Sequence, residues 1–205
     1  MPATTRWGEP AARVGLFLLC LVPFAYLLYG AVSGALGPDP AEEIMHVTGE
    51  WAMRILILTL LMSPLREWRG WRFPLKVRRM LGLFAFFYAC VHLVSFFQFF
   101  TGWGLERLLE ELVERPYVTV GFGAWLLMLP LALTSTRKMQ RRLGRNWRRL
   151  HRLVYPSALL VCLHIIWLSR SDIGSALVHS SLILALLAWR IRPLFERFLP
   201  TPKKV

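Results

Sequence analysis

Two histidines of this chain lie deep inside long apolar segments, where an ionisable side chain is costly and marks a functional site. His92 lies in RRMLGLFAFFYACVHLVSFFQFF, and His164 lies in LHRLVYPSALLVCLHIIWL. Neutral imidazole is a common ligand of biological metals, iron included. The two segments therefore predict a metal site formed by these two rings. The alternative is a pair of unrelated buried histidines.

The two histidines also lie at the same depth. His92 follows Met80, at the basic edge of its segment, by 12 residues, and His164 follows His151 by 13. At about 1.5 Å per residue both rings lie roughly 18 to 20 Å from that edge, on helices that run in the same direction. A haem set edge-on between two helices needs one axial ligand from each. Zinc prefers four close nitrogen or sulfur ligands, and no CxxC or HxxxH pattern occurs, so we predict haem.

The segments that position these residues are six apolar blocks with charged loops between them. The chain has 205 residues and is 56% hydrophobic, yet its formal net charge is +13. Blocks of about 18 or more apolar residues can cross a hydrocarbon core as helices, whereas membrane strands would be shorter alternating segments. We predict an all-α integral membrane protein whose six transmembrane helices form a haem-binding bundle, as one domain over residues 1–205. The predicted spans are about 14–32, 44–62, 80–100, 117–136, 152–169 and 175–191.

The charges between the blocks are strongly sided. If loops alternate across the membrane, 21 of the 25 Lys and Arg residues fall at the two termini and in the loops after the second and fourth spans. The opposite loops carry eight acidic residues and three cations. The positive-inside rule then predicts a multi-pass protein with both termini in the cytoplasm. This sidedness favours membrane lipid, and not nucleic acid, as the partner of the basic residues.

Polar residues at the edges of the spans have alternative interpretations. Arg54 lies one helical turn after Glu50, so the two can neutralise each other; alternatively, Arg54 faces an anionic group of a cofactor, such as a haem propionate. The segment from Ser63 to Arg79 mixes cations with aromatic residues, which predicts a helix at the lipid interface. Its alternatives are stacking on a flavin and contact with a soluble reductase. The segment TGWGLERLLEELVERP predicts a short amphipathic helix on the outer surface.

The strings HVTGEWAMR, RRMLGLFAFFYACVH and LALTSTRKMQRRLGRNWRRLHRLVY resemble the MsrQ family, the haem-binding membrane subunits of the bacterial periplasmic methionine sulfoxide reductase system. This family lies within the wider ferric-reductase-like transmembrane group, and the resemblance covers nearly the whole chain. It implies a six-helix protein of the bacterial inner (plasma) membrane that binds b-type haem, with His92, His151 and His164 at the family's histidine positions. It also implies FMN as a second cofactor. Electrons would pass from the quinone pool or a cytosolic flavin reductase to a periplasmic molybdenum-cofactor reductase that repairs oxidised methionine.

The chain departs from the wider group at one place. In that group the third and fifth spans typically each carry two histidines about a dozen residues apart and hold two stacked haems. Here the fifth span has His151 and His164, but the third has His92 alone, with Arg79 and Arg78 at the positions 13 and 14 residues before it. A guanidinium has no lone pair to offer iron, and it suits haem propionates, FMN phosphate or lipid headgroups instead.

We therefore predict one firmly held haem, on His92 and His164. His151 is then either a weak ligand of a second, inner haem completed by a non-histidine group, or part of the site where flavin or quinone enters. The predicted function is electron transfer without a substrate-reducing site of the chain's own. One alternative is a stand-alone transmembrane ferric or oxygen reductase, which would usually carry a fused flavin and nicotinamide domain. A transporter or scaffold without cofactor would leave the two deep histidines unexplained, and His46 and His179 receive no role.

Overall fold

A computed structural model describes residues 8–70, 73–169 and 173–196 of the chain. Within these ranges the secondary structure is helical, with short turns between the helices. The α-helices of the described residues are α1 (Gly8–Ser33), α2 (Pro40–Arg69), α3 (Phe73–Phe96), α4 (Leu105–Glu114), α5 (Pro116–Leu133), α6 (Arg137–Leu143), α7 (Arg145–Leu150), α8 (Val154–Leu168) and α9 (Ile173–Glu196).

Six helical stretches of the described residues are long and apolar enough to cross a membrane. They are Glu9–Ser33, Pro40–Arg69, Phe73–Thr101, Pro116–Leu133, Arg145–Leu168 and Ile173–Arg192. The predicted all-α architecture with six spans is therefore confirmed. In such a chain every backbone polar group needs a partner within the protein, and a helix supplies one for nearly all of them.

The predicted and observed spans differ most at their ends. The fourth span ends at Leu133, a few residues earlier than predicted, because the hydroxyls of Thr134 and Ser135 donate back to the carbonyls of Pro130 and Leu131, each at 2.6 Å. The Ser135 hydroxyl thereby supplies a donor to the Leu131 carbonyl, because the Ser135 N–H donates to the Ala132 carbonyl instead. The chain then turns and starts a new helix at once.

The segment predicted as a separate interfacial helix is instead the end of α2 and the start of α3. α2 continues to Arg69, where Gly70 takes a left-handed conformation (φ 67°) and its N–H donates to the Arg66 carbonyl at 2.8 Å. Glycine adopts this conformation without steric cost and commonly ends helices in this way. α3 begins at Phe73. The prediction of a separate helix is therefore wrong, and the cations of this segment lie on the ends of two long helices.

One buried hydroxyl joins α1 to α3. Pro23 lies inside α1 and has no N–H to donate. Next to it, the Phe24 N–H donates to Tyr88 Oη at 3.1 Å, and this hydroxyl donates to the Cys20 carbonyl at 2.8 Å. An uninterrupted α-helix would pair those two backbone groups with each other. Tyr88, which is fully buried, thus satisfies both groups inside the bundle.

Two helix pairs form the body of the bundle: α2 packs against α3, and α5 packs against α8. Small residues permit the close approach of α5 and α8, since Ser157 and Ala158 are fully buried and Ser157 Oγ donates to the Ala124 carbonyl at 3.0 Å. The pairs are joined through Trp125 of α5, whose Nε1 lies 3.3 Å from Cys90 Sγ of α3. α9 packs on α8 and α2.

The bundle has an acidic end, which we define by α4. The Phe73–Thr101 span finishes in a π-helical turn (Phe97–Thr101), after which Gly102 and Trp103 both take positive φ values of 57° and 62°. α4 then forms the short amphipathic helix that the sequence predicts. It carries four acidic residues, Glu106, Glu110, Glu111 and Glu114.

The opposite end is the basic end, which we define by α6 and α7. These two short helices carry seven cations, Arg137, Lys138, Arg141, Arg142, Arg145, Arg148 and Arg149. Thr136 caps α6 by accepting from the Met139 N–H at 3.2 Å, and Gly144, at φ 50°, separates α6 from α7. A single 3-10 turn, His151–Leu153, then leads into α8.

Candidate functional site

The structure brings the rings of His92 and His164 next to each other. His92 projects from α3 and His164 from α8, and their ring centroids are 6.4 Å apart with the ring planes at 83°. Both side chains are partly buried between helices. The equal depth that the sequence predicts thus becomes direct opposition of two imidazoles.

Each ring is held by a backbone carbonyl of the helix behind it. His92 Nδ1–H donates to the Met45 carbonyl on α2 at 3.0 Å, and His164 Nδ1–H donates to the Tyr117 carbonyl on α5 at 2.7 Å. A carbonyl oxygen only accepts, so both rings carry their hydrogen on Nδ1. The lone pair of each neutral ring is therefore on Nε2, where a metal can use it. Thr48 Oγ1, at 3.3 Å from His92 Nδ1, adds a second polar neighbour.

Two glycines let the rings lie against the backbone. A Cβ at Gly121 would be 2.7 Å from His164 Nδ1 and 2.9 Å from its Cε1, closer than real Cβ atoms approach. A Cβ at Gly49 would be 3.1 Å from His92 Cε1. The absence of a side chain at Gly121 thus leaves the space that the His164 imidazole occupies. Each ring is thus positioned by a carbonyl and a glycine of one helix.

The ring spacing fits a metal shared by both imidazoles. A metal lies about 2.0 Å from an imidazole nitrogen, and the ring radius adds to this on each side, so two rings that share a metal have centroids roughly 6 Å apart. The observed separation of the two ring centroids is 6.4 Å. Among the described residues, no group of three or more His, Cys, Asp or Glu side chains could hold a metal ion. Two opposed nitrogen ligands suit a metal whose remaining positions are filled by its own macrocycle, and this is how haem iron is held. These residues fit a haem.

His151, the third predicted ligand, lies apart from this pair at the basic end. Its ring stacks on Trp147 with centroids 3.9 Å apart, and its Nδ1–H donates to the Trp147 carbonyl at 3.1 Å. Trp147 is itself fixed, since its Nε1 donates to the Thr134 carbonyl at 3.0 Å. His151 is therefore held mainly by the short helix just before it, α7, and it also lies near the Leu131 backbone of α5, whereas each deep ring is held by a carbonyl of a neighbouring helix.

The three predicted arginines occupy different surroundings. Arg54 pairs with Glu50 at 2.7 Å and lies over the Trp51 ring, which is the self-neutralised arrangement. Arg78 is partly buried and donates to Ser63 Oγ at 3.2 Å. Arg79 is exposed. The structure thus separates Arg78, inside the bundle, from Arg79, on its surface.

The remaining two histidines lie outside these clusters. His46 is exposed on α2. His179 Nδ1–H donates to the Ser175 carbonyl of its own helix at 2.8 Å. This arrangement ties His179 to α9 and gives no second metal-binding pair within the described residues.

Sequence reasoning missed the groups that aim the two rings. The carbonyls of Met45 and Tyr117 carry no sequence signal, because every residue has a carbonyl. Gly49 and Gly121 are visible in the sequence, but a glycine inside a span is as often a contact between helices. The usable signal is that each glycine lies on the membrane span immediately before a span that carries a deep histidine.

Residues 48–162 match the family described as ferric reductase like transmembrane component. The chain is 46% identical over 195 residues to the protein-methionine-sulfoxide reductase heme-binding subunit MsrQ of Xanthomonas axonopodis pv. citri, covering 92% of this chain and 89% of that protein. It is 49% identical to the MsrQ of Xanthomonas oryzae pv. oryzae, over 92% of this chain and 89% of that protein. It is 45% identical to the MsrQ of Rhodospirillum rubrum, over 90% of this chain and 89% of that protein.

Proposed function

This chain belongs to the MsrQ family within the ferric-reductase-like transmembrane group, and from that premise we propose that it is the haem-binding membrane subunit of a protein-methionine-sulfoxide reductase system. It passes electrons across the bacterial inner membrane to a periplasmic molybdenum-cofactor reductase, which repairs oxidised methionine. The chain has no substrate-reducing site of its own in this proposal. The observation that carries it is the opposed pair of imidazoles, each with Nδ1 bound to a carbonyl and Nε2 left for a metal.

In this proposal His92 and His164 would hold the haem through their Nε2 atoms. Haem b supplies one-electron redox chemistry when bound. The protein's part is to keep both rings neutral and fixed in orientation, through the carbonyls of Met45 and Tyr117. Rings that do not reorient between the two oxidation states keep the cost of each electron transfer low.

The charge of the two ends supports an orientation. Cations concentrate at the basic end and acids at the acidic end, and by the positive-inside rule this supports a cytoplasmic basic end with both termini on the same side. The histidine pair lies roughly 18 to 20 Å from the basic edge at about 1.5 Å per residue, past the midpoint of a core about 30 Å thick. Electrons held there are nearer a periplasmic acceptor than a cytoplasmic one.

Electrons enter at the basic end in this proposal, from quinol or from reduced flavin delivered by a cytosolic flavin reductase. His151 and Arg78 lie on this side of the bundle, and FMN is the proposed second cofactor; Arg79, which is exposed, takes no part in this proposal. The cationic helices α6 and α7 offer a surface to a negatively charged donor. A weak inner haem on His151, completed by a group other than histidine, is the alternative role for this end.

The proposal is tested in two steps on the purified membrane protein. A reduced-minus-oxidised optical spectrum should give the bands of low-spin b-type haem. Adding the oxidised periplasmic reductase and methionine sulfoxide to the reduced protein should then reoxidise the haem. A spectrum without haem bands would refute the haem assignment, and a haem that stays reduced in the second step would refute the partner.

The family match to ferric reductase like components supports one second candidate, a stand-alone ferric or oxygen reductase. That activity would need no periplasmic partner. The same reduced protein, mixed with ferric chelate or oxygen alone, separates the two functions. Reoxidation by these acceptors as fast as by the partner system would favour the second candidate.

A further inference from the structure

At the basic end two arginines from distant parts of the chain converge on one hydroxyl group. Arg78 Nη1 of α3 donates to Ser63 Oγ at 3.2 Å, and Arg190 Nη2 of α9 donates to the same oxygen at 2.9 Å. These two nitrogens are therefore no more than about 6.1 Å apart. Two like charges held this close inside a bundle repel each other unless an anion offsets them.

Among the described residues, the hydrogen-bond partners of this pair are neutral groups. Arg190 Nη2 also donates to the Leu60 carbonyl at 3.0 Å, which has no helical donor because Pro64 lacks an N–H. The Arg190 guanidinium lies over the Tyr155 ring, 5.9 Å from its centroid. Arg190 Nε is buried without a hydrogen-bond partner. A buried guanidinium N–H without a protein acceptor, beside a second arginine, is a donor that an oxyanion can satisfy.

No carboxylate in the described part of the chain forms a salt bridge with either arginine. Glu67, one turn after Ser63 on α2, accepts from Trp189 Nε1 at 3.2 Å instead. The histidine pair cannot supply the anion through a bound haem either. Arg78 lies 14 residues before His92 on α3, about 21 Å along the helix axis, and the propionates of a haem do not extend that far from its iron.

We propose that Arg78, Arg190 and Ser63 form a binding site for a phosphate group, carried either by a soluble phosphate ester or by an anionic lipid. Guanidinium groups donate charge-assisted hydrogen bonds to phosphate, and Arg190 Nε is a donor that the described residues leave without an acceptor. Ser63 Oγ adds a third polar contact. The site lies at the end of the bundle where electrons enter in the proposed function. The inference rests on the proposed function only in this respect. Its residues are separate from the histidine pair.

The test for a soluble source compares FMN with riboflavin, which is the same molecule without the phosphate. Binding to the purified protein in phosphatidylcholine nanodiscs is followed by flavin fluorescence. FMN should bind at least tenfold more tightly than riboflavin, and R78Q and R190Q should each remove that preference. R79Q, at the exposed neighbouring position, is the matched control and should keep it. R78K, which retains the charge but not the guanidinium, should restore part of the preference.

The test for a lipid source measures the phosphatidylglycerol that stays bound through detergent purification, by mass spectrometry. Wild type and R79Q should retain an equimolar amount, and R78Q and R190Q should lose it. The phosphate site is overturned if wild type shows neither an FMN preference nor retained lipid, or if R79Q weakens binding as much as R78Q does. The haem spectrum, recorded on every variant, reports separately on folding and on the histidine pair. A failure of the proposed function is thereby distinguished from a failure of this site.

Discussion

The helix pairs α2–α3 and α5–α8 are alike at the acidic end of the bundle and unlike at the basic end. In each pair a histidine donates to a carbonyl 47 residues before it, and a glycine four residues after that carbonyl packs against the ring. Positions 45, 49 and 92 of the first pair correspond to 117, 121 and 164 of the second, a shift of 72 in each case.

At the basic end the same shift relates Arg79 to His151, and the likeness ends there. His151 stacks on Trp147, whereas Arg79 is exposed and its neighbour Arg78 turns to Ser63. What the two pairs share is what a metal with two opposed ligands requires: equal depth, the same tautomer and a ring fixed against backbone. No such equality holds at the basic end, and for this reason we expect one haem and not two.

The largest effect should come from removing either deep histidine. H92A and H164A each delete one of two equivalent ligands, so each should lose the haem or turn the iron high-spin. Optical and electron paramagnetic resonance spectra of the purified variants measure this. H179A, whose histidine is bound to its own helix, is the control. If both deep variants keep the wild-type spectrum, the ligand assignment is wrong, and if only one does, the two pairs are not equivalent.

The next effect distinguishes the two ring-packing glycines. In G121A the new methyl group would lie 2.7 Å from His164 Nδ1, so the ring must shift and strain its bond to Tyr117. Such overpacking costs about 1–3 kcal/mol, and we expect less haem per chain. G49A, at 3.1 Å from His92 Cε1, should show the same defect more weakly.

G123A is the matched control for this prediction, because a methyl group there makes an ordinary 3.5 Å contact with Leu160. Haem per chain, measured chemically on purified protein, should rank G121A below G49A and G49A below G123A. A G123A defect as large as that of G121A would mean that close packing of α5 in general, and not the ring, causes the loss.

Most of the fold and the histidine pair could be predicted from the sequence, because both depend on patterns that repeat along it. Long apolar blocks identify the spans, and equal counts from the basic edge identify His92 and His164 as partners. The interfacial helix was mispredicted, because composition alone does not distinguish a surface helix from the end of a long span. The convergence of Arg78 and Arg190 could not be predicted, since 112 residues separate them and Ser63 resembles any other serine.

A smaller effect is expected from removing His151. Because its ring is held by Trp147 and lies apart from the deep pair, H151A should spare the low-spin spectrum. It should slow the reduction of the haem by quinol or reduced flavin, which stopped-flow absorbance can follow. R148Q removes one positive charge from α7, the helix just before His151, and controls for the effect of lower surface charge. Two haems per chain in wild type and one in H151A would instead establish an inner haem and break the contrast between the two ends.

The smallest effect concerns an ion pair that α2 has and α5 lacks. By the shift of 72, Glu50 and Arg54 correspond to Phe122 and Leu126, so the bundle tolerates apolar residues at the equivalent places. Since the pair neutralises itself at 2.7 Å within the α2 span, each single variant leaves one partner there unpaired, and we expect E50Q and R54Q to lower stability by similar amounts. Both should leave the haem spectrum and midpoint potential unchanged. If R54Q alone lowers haem retention or shifts the potential while E50Q does not, Arg54 serves a haem propionate, and the two helix pairs differ at the acidic end as well.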